Sequence, residues 1–131
     1  MKGYALTHEI KPFRVRTMGL ATFPGDWPVV YVAIEKDPSL RALHERIWRT
    51  CLPLANKPSP LYAPEIWTPH ISLAYGDERS LTPLSGSQVR DILDALNPED
   101  FRWTTSIDNL TLIGGDGGFH EPVKTFPLEG Q

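Results

Sequence analysis

The stretch WTPHISLAYGD, residues 67–77, decides how the chain should fold, because polar and apolar residues alternate along it. In a β-strand successive side chains point to opposite faces. Thr68, His70 and Ser72 would therefore share one polar face. The opposite face would be apolar and carries Ile71, Leu73 and Tyr75. The stretch predicts a strand that buries one face and presents a histidine and a serine from the other.

Two further strands are predicted upstream of this stretch. Residues 11–23, KPFRVRTMGLATF, alternate apolar and polar side chains, and residues 29–35, VVYVAIE, are rich in β-branched residues. The intervening PGDWP, residues 24–28, is typical of a turn, so the two strands should form an antiparallel hairpin. Alternation places Arg14 and Arg16 on the same side of the first strand.

Two helices are predicted from apolar residues at helical spacing. Asp37 is a candidate N-cap and Pro38 a first-turn residue for a helix over 37–51. The stripe that this helix should bury consists of Leu40, Leu43, Ile47 and Cys51. Residues 85–98, SGSQVRDILDALNP, predict the second helix, with Val89, Ile92, Leu93 and Leu96 on one face.

The last two strands, residues 106–115 and 121–129, should be joined by the glycine-rich turn GGDGG at 114–118. The order is then β-β-α-β-α-β-β, which predicts an α+β fold with a mostly antiparallel sheet and helices on one face. If Ile71 and Leu73 pack under those helices, His70 and Ser72 look out from the uncovered face into a cleft.

Composition narrows the class of protein. A chain of 131 residues can bury a core as one domain over 1–131, and its net charge of −3 argues against a large nonspecific surface for nucleic-acid duplexes. A local basic groove for a small phosphate ligand remains compatible with that charge. The single cysteine excludes an internal disulfide and a multi-cysteine zinc site and favours a cytoplasmic location, and no run of about 18 apolar residues predicts a membrane span.

A histidine and a serine two residues apart on a strand lie roughly 7 Å apart and can reach one phosphate-sized group. The hydroxyl donates a hydrogen bond, and the imidazole donates another or moves a proton near neutral pH. The spacing alone also fits a histidine with a purely structural hydrogen bond. Arg14 and Arg16 would add phosphate charge if their side is the cleft, and would otherwise face solvent. Tyr31 and Trp67 could stack a nucleobase or simply pack.

Beyond this spacing, the sequence resembles the two-histidine phosphoesterases, which include the LigT-like and 2′-5′ RNA ligase-like proteins. The resemblance extends over nearly the whole chain and rests on FPGDWPVVYVA, LHERI, PHISLAYG and the closing LTLIGG and VKTFPL. It implies two lobes that each contribute one His-x-Thr/Ser motif to a shared cleft, and cleavage or formation of 2′,3′-cyclic or 2′-5′ phosphodiesters without metal or other cofactor. His70 and Ser72 match the second motif, which implies a catalytic histidine and a phosphate-binding serine. Thr68, Arg14, Arg16 and Tyr31 are the candidate substrate-binding residues.

The first motif of the resembled family is absent, because His8, His44 and His120 are not followed by Ser or Thr two residues later. The first lobe would therefore be incomplete, as in a domain shortened at its N-terminal side. Three interpretations stay open: a relative that binds phosphate esters but turns over poorly, a homodimer that brings two copies of His70 together, or a substitute histidine, His8 or His120. His44 lies on the flank of a predicted apolar stripe and fits a structural role.

The sequence thus predicts a phosphodiesterase or 2′-5′ RNA ligase-like protein that acts on RNA ends or small nucleotides. The alternative is a catalytically incomplete module of the same fold that binds a nucleotide or a protein partner.

Overall fold

The computed structural model describes residues 2–77, 79–114 and 121–131. Nine helices and strands follow one another in this part of the chain: α1 (Lys2–Glu9), β1 (Phe13–Phe23), β2 (Val29–Ile34), α2 (Pro38–Cys51), β3 (His70–Ala74), α3 (Gly86–Leu96), β4 (Thr104–Ile107), β5 (Asn109–Gly114) and β6 (Glu121–Pro127). Short 3₁₀ turns at Leu52–Leu54 and Pro60–Tyr62 interrupt the proline-rich loop between α2 and β3.

All strand pairs are antiparallel. Four strands form one sheet in the order β3-β2-β1-β4, and β5 pairs with β6 in a second, two-stranded sheet. The α+β class predicted from the sequence is therefore confirmed. No helix in the described ranges is long and apolar enough to cross a bilayer.

Two elements differ from the sequence prediction. Helix α1 was not predicted, since KGYALTHE carries no clear apolar stripe. The strand predicted at 106–115 is two strands in separate sheets, because the chain leaves β4 at Ile107 and begins to pair with β6 at Asn109. Residues 115–118 of the predicted GGDGG turn lie outside the described residues.

Both predicted helices begin where capping residues place them. The Asp37 carboxylate accepts a hydrogen bond of 2.8 Å from the Leu40 N–H, and Pro38 occupies the first helical position of α2. In α3, Ser85 and Gln88 form a reciprocal capping box. These bonds satisfy N–H groups that would otherwise lack partners at the helix starts.

The core of the four-stranded sheet lies on one face of β1 and β2. Val15, Val30 and Val32 are at most 2% exposed, and Thr17 is fully buried among them. The Thr17 hydroxyl lies 3.0 Å from the Phe101 carbonyl oxygen and accepts a bond of 2.7 Å from the Trp103 N–H. Thr17 therefore joins β1 to the segment that leads into β4.

A β-bulge changes which side chains of β1 face which way. Thr17 lies opposite Ile34 and Leu20 opposite Val32, so one extra residue of β1 is accommodated between them, where Gly19 adopts a positive φ of 94°. The alternation of side chains therefore shifts by one after Gly19. As a result Phe23 lies on the face opposite to the valine core.

Ile71 and Leu73 are less buried than the sequence pattern predicts. Ile71 does lie on the face opposite to His70, but the two residues are 38% and 42% exposed. The reason is that β3 is an edge strand with β2 as its one neighbour in the sheet. Leu73 is moreover the extra residue of a β-bulge, because Ser72 lies opposite Tyr31 and Ala74 opposite Val30, so Leu73 does not continue the face of Ile71 as predicted. Cys51 is also exposed rather than buried, because it is the last residue of α2 and lies beyond the buried Leu43.

The turn after β3 depends on a glycine. Gly76 has a φ of 86°, and a Cβ atom there would lie 2.6 Å from the Thr82 carbonyl oxygen. Asp77 and Thr82 exchange two backbone hydrogen bonds of 2.9 Å. The Ser80 hydroxyl and the Arg79 N–H bind the Asp77 carboxylate and lower its pKa from the ordinary value. The end of β3 is held by this turn.

Candidate active site

The strand pairing places His70 and Ser72 on one face of the sheet. His70 lies opposite Ala33 and Ser72 opposite Tyr31 in the antiparallel pair β2–β3. Directly opposed residues point to the same side, and residues two apart on a strand do so as well. His70 is half-buried and Ser72 is exposed, so the shared face is open to solvent at the serine.

The orientation of the His70 ring is set by a backbone carbonyl. Its Nδ1 lies 2.8 Å from the Thr68 carbonyl oxygen. A carbonyl oxygen only accepts hydrogen bonds, so Nδ1 carries the hydrogen in neutral imidazole and the lone pair lies on Nε2. Nε2 is therefore the atom of His70 that can take a proton from a ligand, or return one after protonation.

Two aromatic rings support His70 from within the sheet. The Phe23 ring meets the imidazole edge-on at 5.0 Å between centroids, and Tyr31 does so at 5.4 Å. Phe23 and Tyr31 are themselves stacked at 4.1 Å. Tyr31 is only 8% exposed, so its ring packs against Phe23 and His70 and has little surface left for a nucleobase.

Phe23 was not singled out from the sequence. Plain alternation along β1 would place it with Phe13 and Val15, on the face away from His70. The bulge at Gly19 reverses that placement. The signal available in the sequence was a glycine within an otherwise regular strand pattern, which is a known mark of a bulge.

Ser72 offers an unused hydroxyl. Its side chain makes no hydrogen bond to any other residue that the structure describes, whereas its backbone is fixed in β3. Thr68 precedes the first paired residue of β3, so the strand pairing does not define which face its side chain occupies. Thr68 contributes to the site through its carbonyl oxygen, which orients His70. The hydroxyl of Ser72 is thus available to a ligand.

The two arginines of β1 share the face of His70. Thr17 faces the same side as Ile34, so Arg14 and Arg16 point to the other side, which is that of Ala33 and His70. Strand β1 is two strands away from β3, a separation of about 10 Å. The Arg16 Nε lies 3.9 Å from a Glu35 carboxylate oxygen in an exposed pair, and Arg14 forms no ion pair within the described ranges.

The other histidines lie apart from this face or outside the described residues. The Nδ1 atom of His8 in α1 lies 3.2 Å from a Glu129 carboxylate oxygen, and α1 contacts α2 and β6. His120 is not among the residues that the structure describes. His44 stacks on Trp67 at 3.7 Å, and its Nε2 lies 2.6 Å from the Tyr62 carbonyl oxygen. The contacts of His44 and Trp67 are those of packed residues, which agrees with the structural role predicted for His44.

Two further features of the surface bear on ligand binding. Among residues 2–77, 79–114 and 121–131 there is no group of three or more His, Cys, Asp or Glu side chains that could hold a metal ion. An apolar cavity of about 370 Å³ lies between α1, α2 and the β5–β6 hairpin, and Cys51 lines it together with Ile47 and Phe126. None of the candidate substrate residues lines that cavity.

The chain has a mostly antiparallel α+β fold that presents His-x-Ser from an edge strand. The family model for the 2′-5′ RNA ligase superfamily matches residues 5–119, and the chain belongs to that superfamily. The crystal structure of TT0787 of Thermus thermophilus superposes with a TM-score of 0.62 at 20% identity, over 98% of this chain and 67% of that one. At that identity the likeness concerns the fold. No curated protein gives a significant match.

Proposed function

We propose that this chain binds phosphodiester groups at RNA ends or in small nucleotides, and hydrolyses or forms 2′,3′-cyclic or 2′-5′ linkages, with His70 and Ser72 as the reacting site. The observation that carries the proposal is the hydrogen bond between His70 Nδ1 and the Thr68 carbonyl, which leaves Nε2 for proton transfer beside the unused Ser72 hydroxyl. Membership of the 2′-5′ RNA ligase superfamily supports the substrate class.

Displacement at phosphorus needs one proton transfer at the attacking oxygen and another at the leaving oxygen. In the hydrolysis of a 2′,3′-cyclic phosphate, water attacks phosphorus and one bond from phosphorus to a ribose oxygen breaks, which gives a nucleoside monophosphate. A base takes a proton from the water and an acid gives a proton to the departing oxygen. Neutral His70 serves as the base, or protonated His70 as the acid, while Ser72 donates to a phosphoryl oxygen.

The mechanism needs a second proton-transfer group besides His70. One candidate is the His70 of a second copy in a homodimer. Apolar side chains that lie uncovered on the β5–β6 hairpin, in the second sheet, favour self-association of the chain. Leu112, Ile113 and Val123 are 56%, 55% and 65% exposed. His8 and His120 stay the substitutes within one chain. We propose a cytoplasmic location on the single cysteine alone.

A noncatalytic binding module is the second candidate function. The observation that favours it is the occurrence of only one His-x-Ser/Thr motif in the 131-residue sequence. One imidazole serves a concerted displacement as acid or as base, but not as both at once. Such a module would bind the phosphodiester at His70 and Ser72 and release it unchanged.

Ser72→Ala is expected to weaken nucleotide binding and lower the hydrolysis rate by about 10- to 100-fold, because a hydrogen bond to a charged oxygen is worth about 1.5–3 kcal/mol. The measurement follows nucleoside monophosphate release from a 2′,3′-cyclic nucleotide, with the dissociation constant determined separately by calorimetry. Ser39→Ala removes an exposed hydroxyl from the first turn of α2 and serves as the control. If the wild-type protein binds the nucleotide without hydrolysing it, the result favours the noncatalytic binding module. If the wild-type protein neither binds nor hydrolyses the nucleotide, the proposed function is wrong.

A further inference from the structure

Strand β3 leaves one edge of the four-stranded sheet open. It is the outermost strand and pairs with β2 alone. In the part of the chain that the structure describes, no backbone hydrogen bond outside this pairing involves a residue of β3. Ile71, Ser72 and Leu73 are all exposed. The open edge of β3 is therefore accessible to a further strand.

The backbone groups on the open edge belong to His70 and Ser72. The Ile34 N–H donates to the Pro69 carbonyl oxygen at 3.2 Å, so the backbone groups of Pro69 point toward β2. The N–H and C=O of one residue point to the same edge of a strand, and successive residues alternate between the two edges. The backbone of Ile71 therefore faces β2, as that of Pro69 does. The N–H and C=O groups of His70 and Ser72 point outward and lack a strand partner.

The open edge has few of the features that prevent an exposed strand from pairing with another chain. Natural edge strands commonly carry charged side chains, a proline or a bulge. Residues 70–74, HISLA, include no proline and no Asp, Glu, Lys or Arg. The bulge at Leu73 lies beyond Ser72 and leaves residues 70–72 regular. A second copy of the chain would oppose HISLA to HISLA, so no carboxylate, ammonium or guanidinium would meet its like across the pair.

One register satisfies these backbone groups in a pair of identical strands. When two copies of β3 run antiparallel about a two-fold axis at Ile71, each His70 lies opposite Ser72 of the second copy, and the two pairs exchange four backbone hydrogen bonds. The two Ile71 residues then oppose each other at about 4.5 Å between Cα atoms, so their exposed side chains pack together. An axis at His70 would instead pair Ser72 with Thr68, whose carbonyl oxygen already accepts from His70 Nδ1.

The register centred on Ile71 also completes the reaction site. Directly opposed residues point to the same side, so both copies of His70 and Ser72 share one face of the joined sheet. The two His70 residues are diagonal neighbours in this register, about 7–8 Å apart. One phosphate-sized group fits between their imidazoles. One Nε2 takes the proton from the attacking water, and the other, protonated, gives one to the departing ribose oxygen.

We propose that the open edge of β3 pairs with the same edge of a second copy, centred on Ile71, and that the dimer holds one phosphodiester between the two His70 side chains. This inference rests on the proposed function and deepens it, because it names the surface that supplies the second proton-transfer group. Association through the β5–β6 hairpin would instead join the sheets that do not carry His70.

Cysteine cross-linking tests the register. The background is Cys51→Ser, since Cys51 is exposed and is the single cysteine of the chain. Ile71→Cys should form an intermolecular disulfide under mild oxidation, because Cα atoms about 4.5 Å apart lie within the range that a disulfide spans. Leu73→Cys is the matched control. Leu73 is similarly exposed, but its two copies would lie more than about 10 Å apart along the strands.

Ile71→Cys is expected to cross-link at least about tenfold faster than Leu73→Cys, whose separation exceeds what a disulfide can bridge. Leu112→Cys, on the exposed part of the hairpin, reports the other mode of association. Equal rates for Ile71→Cys and Leu73→Cys, or cross-linking at Leu112→Cys alone, would overturn the pairing through β3.

The cross-linked Ile71→Cys dimer is then titrated with a nucleoside 3′-monophosphate by calorimetry. The expected result is one nucleotide bound for every two chains, with binding lost when both chains also carry His70→Ala. One nucleotide bound per chain would overturn the shared site. A cross-linked dimer and a wild-type protein that both fail to bind the nucleotide would instead refute the proposed function. The failure of the pairing and the failure of the proposed function are therefore distinguishable.

Discussion

His70→Ala is expected to lower the rate of 2′,3′-cyclic nucleotide hydrolysis by about 10²- to 10⁴-fold, the range that general acid–base catalysis by one side chain contributes. The physical reason is that alanine removes Nε2, the only imidazole nitrogen left free by the hydrogen bond to the Thr68 carbonyl. Phe23 and Tyr31 stack on each other independently of the imidazole, so the sheet should remain folded.

The measurement is the steady-state rate of monophosphate formation, with folding checked by circular dichroism. His44→Gln is the matched control, because it also removes one imidazole from the protein, but at a position away from the His70 face. Glutamine retains a hydrogen-bond donor toward the Tyr62 carbonyl oxygen. His70→Ala should lose turnover at every substrate concentration, and His44→Gln should retain it for a mononucleotide. Equal rates for wild type and His70→Ala would show that another group carries the proton transfer.

Thr17→Val is expected to lower the free energy of unfolding by about 1–3 kcal/mol, the cost of leaving a buried polar group without its hydrogen bond. Valine has nearly the same shape as threonine, so the substitution removes polar contacts and leaves the packing largely unchanged. The Trp103 N–H donates to the Thr17 hydroxyl at 2.7 Å, and this hydroxyl lies within bonding distance of the Phe101 and Trp103 carbonyl oxygens.

The measurement is urea unfolding followed by tryptophan fluorescence, with the free energy extrapolated to zero denaturant. Thr22→Val serves as the control, since Thr22 is an exposed residue of the same strand β1 and should change the free energy by less than about 0.5 kcal/mol. If the two variants unfold at the same urea concentration, the hydrogen bonds of Thr17 do not hold β1 to the residues before β4.

The placement of His70 and Ser72 on one face could be predicted from the sequence, because the two-residue period of a strand is a local property. The burial of the opposite face, which carries Ile71, could not be predicted from the sequence. Burial of Ile71 depends on which elements neighbour β3, and the structure makes β3 an edge strand. The same limit applies to Cys51, whose helical stripe is correct in period but ends beyond the packed part of α2.

The contact between the rings of Phe23 and His70 could not be predicted from the alternation of side chains, for a related reason. A bulge inserts one residue and reverses all later side chains of the strand, and its position is set by pairing with β2. Likewise, the passage from β4 to β5 at Asp108 is a change of pairing partner within one apolar run. Periodicity identifies strands, whereas the choice of partner depends on tertiary contacts.

The central claim is that the face carrying His70 and Ser72 binds a phosphate ester through Nε2 of His70. It is tested most directly by nitrogen-15 NMR of the histidine side chains during titration with a nucleoside 3′-monophosphate, the His70 signals being assigned by their loss in His70→Ala. The predicted result is a saturating shift of the Nε2 signal of His70, whereas the signals of His8 and His44 stay in place. A shift confined to His8 or His44, or no saturable shift at all, would contradict the claim.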